Sequence, residues 1–213
     1  MPCALYNPLD MPRAYNLGLR LAAAEQTRSR IIDAARQILS DDDFGGLSID
    51  AIARRAGVAR MTVYYQFSSR HGLLEALYDD LAARGLTDNL PRMTEERDPF
   101  EALNRLIEVF CYFWASDRLI VRRLRGLLVI DKEIEAGIRE RESRRKQQIA
   151  SLLHQIEKER GWRAPVTIDE ASSLIMTLSN FETYDTITPE DGKPEDTARL
   201  LKNGMRAILG IEE

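Results

Sequence analysis

Between Ser48 and Phe67 the chain has room for two short helices joined by about three residues, a spacing that makes the helices cross steeply. Ser48 can cap the first helix with Asp50 in its first turn, and Gly57 can end it with a positive φ that other residues resist. Ala53 is small where the helices cross, and Val63 on the second helix plugs the gap. The segment reads as a helix-turn-helix. Any αα-corner fits the same spacing, so the outward side chains must separate the two readings. On the second helix these are Arg60, Met61, Thr62, Tyr64, Tyr65 and Gln66, a set able to touch base edges, thymine methyls and phosphates. Arg70, opening the next helix, can reach the same phosphate backbone. With Ser48 they form the candidate DNA-contacting set.

Apolar residues recur at helical spacing in every long segment and strand-like alternation is absent, which predicts an all-α protein. A first helix is expected from about Leu21 to Ser40, stopped by Asp41 to Asp43 and Gly45-Gly46, after a flexible arm over residues 1–20 that holds Pro2, Pro8 and Pro12. A fourth helix, capped by Ser68 or Ser69, carries Leu73, Leu74, Leu77, Tyr78 and Leu81. A polar linker from Leu90 to Asp98 follows. Asp98, Pro99 and Glu101 then open a helix bearing Phe110, Phe113 and Trp114. A short helix near Asp117 to Leu128 precedes a long one from Asp131 to Arg160, whose charged centre, Arg139 to Gln148, is expected to face solvent over half its surface. Thr167 and Glu170 form a capping box for an eighth helix expected to continue through Asn180 and Tyr184, and Pro194 starts the last. The expected organisation is an arm over 1–20, a helix-turn-helix domain over 21–68, and a ligand-binding and dimerisation domain over 69–213.

Charge divides along the same line. Residues 1–70 hold nine Arg against seven acids, whereas the remainder holds 21 basic residues against 27 acids, so a mildly basic head is joined to an acidic body. No apolar run is long enough for a membrane span and no leader pattern opens the chain, so a cytoplasmic protein with no membrane partner is expected. Cys3 and Cys111 lack partner spacing, and His71 and His154 lack a second ligand nearby, so neither metal nor cofactor is expected. There is no G-x-S-x-G, no glycine-rich phosphate loop and no distinguished carboxylate pair, so the chain does not read as an enzyme.

The run Ile31-x3-Ala35, Phe44-Gly45-Gly46-Leu47-Ser48, Ile52-Ala53-x3-Gly57-Val58 and Thr62-Val63-Tyr64-Tyr65-Gln66-Phe67, followed by Arg70-x2-Leu73-Leu74, resembles the TetR family of transcriptional repressors over about residues 25–81. Gln66 stands where that family often has His and Arg70 where it often has Lys; residues 1–24 have no counterpart in the common pattern. The resemblance implies a three-helix DNA-binding head, a body that binds a small-molecule inducer, and a homodimer formed by the last two helices. Double-stranded operator DNA is then the main partner. The alternative is a helical interaction or ligand-binding adaptor without DNA binding.

In the body, Phe110, Phe113, Trp114, Trp162, Met176, Phe181 and Tyr184 can line a cavity or simply form core, and Thr177, Asn180 and Tyr184 recur at helical spacing as orienting groups. Arg118, Arg122, Arg123 and Arg125 form a cluster expected on a solvated face, with Glu182 and Asp185 as solvent or dimer-rim charges. Leu178, Leu201, Gly204, Met205 and Ile208 are the candidate dimer contacts, because the apolar stripes of their helices exceed the needs of one subunit and Gly204 permits close approach.

Overall fold

A computed structural model of the chain describes residues 13–41, 47–86, 97–127 and 129–211. Among them are ten α-helices and no strand, so the chain is all-α. The expected arm up to residue 12, the Gly45-Gly46 stop and the linker up to residue 96 lie outside the described residues. The helices fall into two compact units that divide between Leu73 and Leu74.

The first unit holds α1 (Arg13–Ser40), α2 (Ile49–Ala56), α3 (Arg60–Phe67) and the first turn of α4 (Arg70–Leu86). Its core is Ile31, Ala35 and Leu39 of α1 with Ile52 and Ala53 of α2 and Val63 and Phe67 of α3, all buried. The first helix begins at Arg13, not near Leu21, so residues 13–20 are no arm. Once past Pro12 the chain meets strong helix formers, Ala14, Leu17, Leu19 and Leu21 to Ala24, and needs no apolar face to propagate.

The second unit holds the rest of α4 with α5 (Pro99–Ser116), α6 (Arg118–Leu127), α7 (Lys132–Arg160), α8 (Ile168–Leu178), α9 (Phe181–Ile187) and α10 (Pro194–Ile208). Helix α5 is central, packed on α7 and α10, with Leu103, Leu106, Ile107 and Cys111 buried in a core that also takes Ile149, Leu153, Ile175, Leu201 and Met205. Asp98 caps α5 by accepting the Phe100 N–H at 2.9 Å. Thr167 and Glu170 cap α8 reciprocally, as their spacing predicts.

The eighth helix does not continue through Tyr184. It stops at Leu178, and Asn180 caps a separate helix, α9, accepting the Thr183 N–H at 2.8 Å through Oδ1. The Thr183 hydroxyl donates back to the Thr177 carbonyl at 2.7 Å. An Asn at that point offers a side-chain acceptor that competes with the helical backbone, a local choice that apolar periodicity does not register. The break frees the Ser179 carbonyl, which takes two side-chain donors, Trp114 Nε1 at 3.1 Å and Arg145 Nη1 at 3.2 Å.

Two arginines of the α6 cluster, Arg118 and Arg125, are withdrawn from solvent, whereas Arg122 stays exposed. Arg118 and Arg122 both grip the Asp185 carboxylate, at 2.6 and 2.7 Å, and Arg118 also donates to the carbonyls of Asp185, Thr188 and Pro189 at the end of α9. Arg125 binds Glu142 and Glu182, both at 2.6 Å. Asp185 is therefore a clasp between helices, while Glu182 pairs with Arg125 and stays exposed to solvent, as expected. Burial disfavours the charge on Asp185, but the two arginines outweigh it and hold its carboxyl below the usual range.

Candidate functional site

In the head, Gly57 at φ 65° ends α2 and lets the N–H of Val58 return to the Ala53 carbonyl at 3.0 Å. That turn aims α3. Its outer surface carries two large side chains with no packing role, Tyr65 at 86% exposure and Met61 at 71%. Arg60 lies beside them, with Nη1 on both Asp50 oxygens at 3.0 and 3.1 Å and Nη2 on the Tyr64 hydroxyl at 3.3 Å. The Tyr64 bond and the Asp50 charge hold its guanidinium more firmly protonated than usual. Thr62, Tyr64 and Gln66 are half-buried on the same helix. Ser48 is exposed and accepts the Ala51 N–H at 3.2 Å, as an N-cap. Arg70 donates to the Leu47 carbonyl at 3.3 Å, tying the start of α4 to the approach to α2.

Three residues of this surface escaped sequence reasoning. Arg28 lies over the Phe67 ring at 4.4 Å and donates to the Gln66 carbonyl at 3.0 Å, so α1 holds the end of α3. Ser68 sits at φ 63° in a tight turn that brings the Ser69 N–H to 2.7 Å from the Phe67 carbonyl. Gly72 completes the corner, because a Cβ there would overlap that same carbonyl oxygen. A glycine two residues beyond Arg70 was the available signal.

In the body, a cavity of about 310 Å³ opens among α4, α5, α6 and α7, at the small end of ligand pockets. Phe110, Phe113 and Trp114 form one wall, stacked with centroids 4.5 to 6.2 Å apart. Val121, Leu124 and Ile138 form another. The polar side holds Tyr78 of α4, Arg125 of α6, and Arg141, Glu142, Arg144 and Arg145 of α7. Arg145 is buried, stacks on Phe110 at 4.4 Å, and donates through Nε to Met176 Sδ at 3.2 Å and through Nη1 to the Ser179 carbonyl. Burial pushes its pKa down to about 10, which leaves it charged at neutral pH. Burial likewise raises that of the Tyr78 hydroxyl, which has no hydrogen-bond partner.

Of the seven residues expected to meet a ligand, Phe110, Phe113 and Trp114 come together at this cavity. The other four are elsewhere. Thr177 faces outward and back-bonds to the Ser173 carbonyl, Asn180 caps α9, and Phe181 and Tyr184 are core. The α8 break turns them off the face that a continuous helix would present. The dimer candidates also separate. Leu201 and Met205 are buried in the chain's own core, so they are not available to a partner; one amphipathic helix bears two apolar faces, and α10 turns that one onto α5. Leu178, Gly204 and Ile208 are half-buried, beside the exposed Leu174 and Leu200. Gly204 meets Leu178 of the same chain at ordinary van der Waals distance. Among the described residues no three metal-ligating side chains converge, and no helix is long and apolar enough to cross a membrane.

A family model for bacterial regulatory proteins of the tetR family matches residues 31–77, the head and the start of α4. The HTH-type transcriptional regulator AlkX of Mycobacterium tuberculosis is 31% identical over 102 residues, 47% of this chain and 48% of its own length, so the chain spans about half of that relative. The HTH-type transcriptional regulator UidR of Escherichia coli K12 is 23% identical over 195 residues, 88% of this chain and 93% of its own. Among solved structures, the transcriptional regulator FadR of Bacillus subtilis in complex with stearoyl-CoA shares the fold at a TM-score of 0.65 and 20% identity, over 86% of this chain and 99% of that one. Residues 31–77, the head and the start of α4, carry the match to the tetR-family model, and the likeness of fold to such regulators extends through the body.

Proposed function

We propose that this protein is a cytoplasmic transcriptional repressor that binds a palindromic operator as a homodimer through α2 and α3, and that a small-molecule inducer in the α4–α7 cavity releases it. The observation that carries the reading is the outer surface of α3. Tyr65 and Met61 are exposed with no packing role, next to an arginine, on a helix whose other face is the core of the head. An adaptor has no need of that surface. Two heads reading successive major grooves imply half-sites about 34 to 36 Å apart or a small multiple of that.

The release step follows from α4. Its first turn, with Arg70, belongs to the head, and two turns later the same helix lends Tyr78 to the cavity wall. A ligand that prefers a displaced α4 lowers DNA affinity by its preference for that state, and no more. The apolar residues Leu174, Leu178, Leu200 and Ile208 of α8 and α10 are the dimer seam of this reading. An electrophoretic shift with the DNA flanking the gene tests the function: a retarded band, lost with Tyr65→Ala and Arg60→Ala, is expected. Equal, weak binding to operator and random DNA that survives both substitutions favours the adaptor.

A further inference from the structure

Three of the four arginines in the cavity wall already have carboxylate partners. Arg125 has Glu142 and Glu182, Arg141 has Glu75 and Asp79, and Arg144 has Glu140. Arg145 is 6% exposed, yet among the described residues no carboxylate lies within ion-pair distance of it. Its guanidinium uses a face to stack on Phe110 and uses Nε and Nη1 for Met176 and Ser179, which leaves the Nη2 edge without a partner. The surrounding polar atoms show the same deficit. The Tyr78 hydroxyl and the Nε atoms of Arg125 and Arg141, on residues that line this cavity, are hydrogen-bonded to nothing, but they are sealed from solvent and so do not face a ligand there. Each is an N–H or O–H donor. Glu142, the carboxylate in the wall, is already held by Arg125.

A buried positive charge that feels Glu142 and Glu182 only from beyond ion-pair distance, its unpartnered Nη2 edge and aromatic walls are together complementary to one anion on an apolar body. A cation meets Arg145 with like charge, and a neutral ligand leaves the charge as it was. We propose that the ligand of this cavity is a compact monocarboxylate with an aromatic or short alkyl body, its carboxylate on the Nη2 edge of Arg145. This assignment rests on reading the cavity as the effector site.

Trp114 lines the cavity and Trp162 does not, so the full-length Trp162→Phe protein reports occupancy through the emission of Trp114 alone. Two matched sets serve as probes: 4-phenylbutanoate, its amide and 4-phenylbutylamine, and octanoate, octanamide and octylamine. The acids are expected to bind about tenfold or more tighter than their amides, as a hydrogen bond to a charged group provides. Arg145→Met should cut that advantage to about twofold or less, and Arg145→Lys should restore part of it. Arg145→Gln keeps a neutral donor in the same place and should likewise lose most of the acid advantage, which keeps the test open if Arg145→Met does not fold. Amides or amines that equal the acids overturn the proposal, as do an acid advantage that survives Arg145→Met, a CoA thioester that outbinds its free acid, and a Trp114 signal that no probe moves. Amides that bind the cavity and release operator DNA leave the effector reading standing while removing the carboxylate. Acids that bind through Arg145 yet leave operator affinity unchanged do the reverse.

Discussion

In the head, backbone turns braced by Arg28 and Arg70 hold a working surface whose polar side chains stand outside; in the body, buried arginines do much of the holding. The α2–α3–α4 corner depends on Gly57 and Ser68 at positive φ, on a small Ala53, and on Gly72 admitting the Phe67 carbonyl. Arg60 is then free to pair loosely with Asp50 at the surface. In the body, Arg118, Arg125, Arg141 and Arg145 are wholly or mostly withdrawn from water and clasp carboxylates, carbonyls or aromatic faces on neighbouring helices. A DNA-reading surface has to be rigid in outline and exposed in chemistry, whereas a cavity needs charge fixed beneath its walls. One chain builds both.

Removing the backbone device should have the largest effect. Gly72→Ala forces a methyl against a carbonyl that already accepts the Ser69 N–H, and neither partner is the free end of a flexible chain. The expected cost is about 3 kcal/mol or more, confined to the head. Hydrogen exchange should show protection lost over residues 47–73 and kept in α5 and α10. A head that stays protected and binds DNA normally would break the comparison.

The body's counterpart is Arg118→Ala. It leaves Asp185 to Arg122 alone and the carbonyls of Thr188 and Pro189 without their donor, at side-chain exposures of 18% for Arg118 and 20% for Asp185. A loss of about 2 to 3 kcal/mol is expected in denaturant unfolding, below the fully buried range because the pair is partly hydrated. The pH dependence has a sign. The folded Asp185 carboxyl is held below its unfolded value, so its stabilising contribution is complete above about pH 4 and is lost as acid carries it through the folded value. Asp185→Asn should therefore flatten the acid limb of the stability curve and leave its alkaline limb alone.

The two regions also differ in how far their sequence can be read. In the head, several structural positions are marked by a residue type that backbone geometry demands, although Arg28 and Ser68 carry no such mark. Gly57 marks a positive φ, Ser48 a cap and Val63 a crossing point, and all three act as their types predict. The body offers periodicity, and periodicity cannot say which neighbour an apolar face meets or whether a polar residue on that face has a partner. Leu201 and Met205 went to the core in that way, and Asn180 broke a helix whose apolar repeat ran straight through it. The cavity's anchor was nevertheless visible in principle. Ile134, Ile138, Arg145, Ile149 and Leu153 lie on one buried stripe of α7, so an arginine interrupts the apolar repeat inside a stretch that reads as solvent-facing. Its partner helices, drawn from three other parts of the chain, were not visible.

At the α3 surface, Arg60→Ala and Tyr65→Ala should weaken operator binding roughly 5- to 150-fold each if they read bases, with random DNA affected far less. Fold stability should barely change, because Tyr65 packs on nothing and the Arg60 pair is exposed. Fluorescence anisotropy with operator and scrambled duplexes separates the cases. A comparable loss of thermal stability would show that the outside of the head also holds it together. Coupling of head to body is the next smaller effect. A ligand that lowers operator affinity about tenfold must itself bind about tenfold more weakly to the operator complex, a coupling of about 1.4 kcal/mol. Calorimetry of a cavity ligand with and without operator reads this directly, and identical affinities would mean that the two regions work independently.

The smallest expected effect concerns Asp50, where the head's two demands meet. Its place in the first turn of α2 suits the helix dipole, and its carboxylate occupies Nη1 of Arg60, which must let go if Arg60 is to reach a phosphate or base. Asp50→Asn keeps the side-chain shape and the capping turn, removes one negative charge from a surface that faces phosphates, and frees the guanidinium. Affinity for DNA of any sequence should rise about two- to fivefold, and the slope of log K against log salt should steepen by about one as Arg60 gains a phosphate. If operator affinity instead falls while random DNA is unaffected, the carboxylate is steering Arg60 to a particular base edge. The pair would then be part of the reading element, and the head too would hold a working side chain with a charge, as the body does throughout.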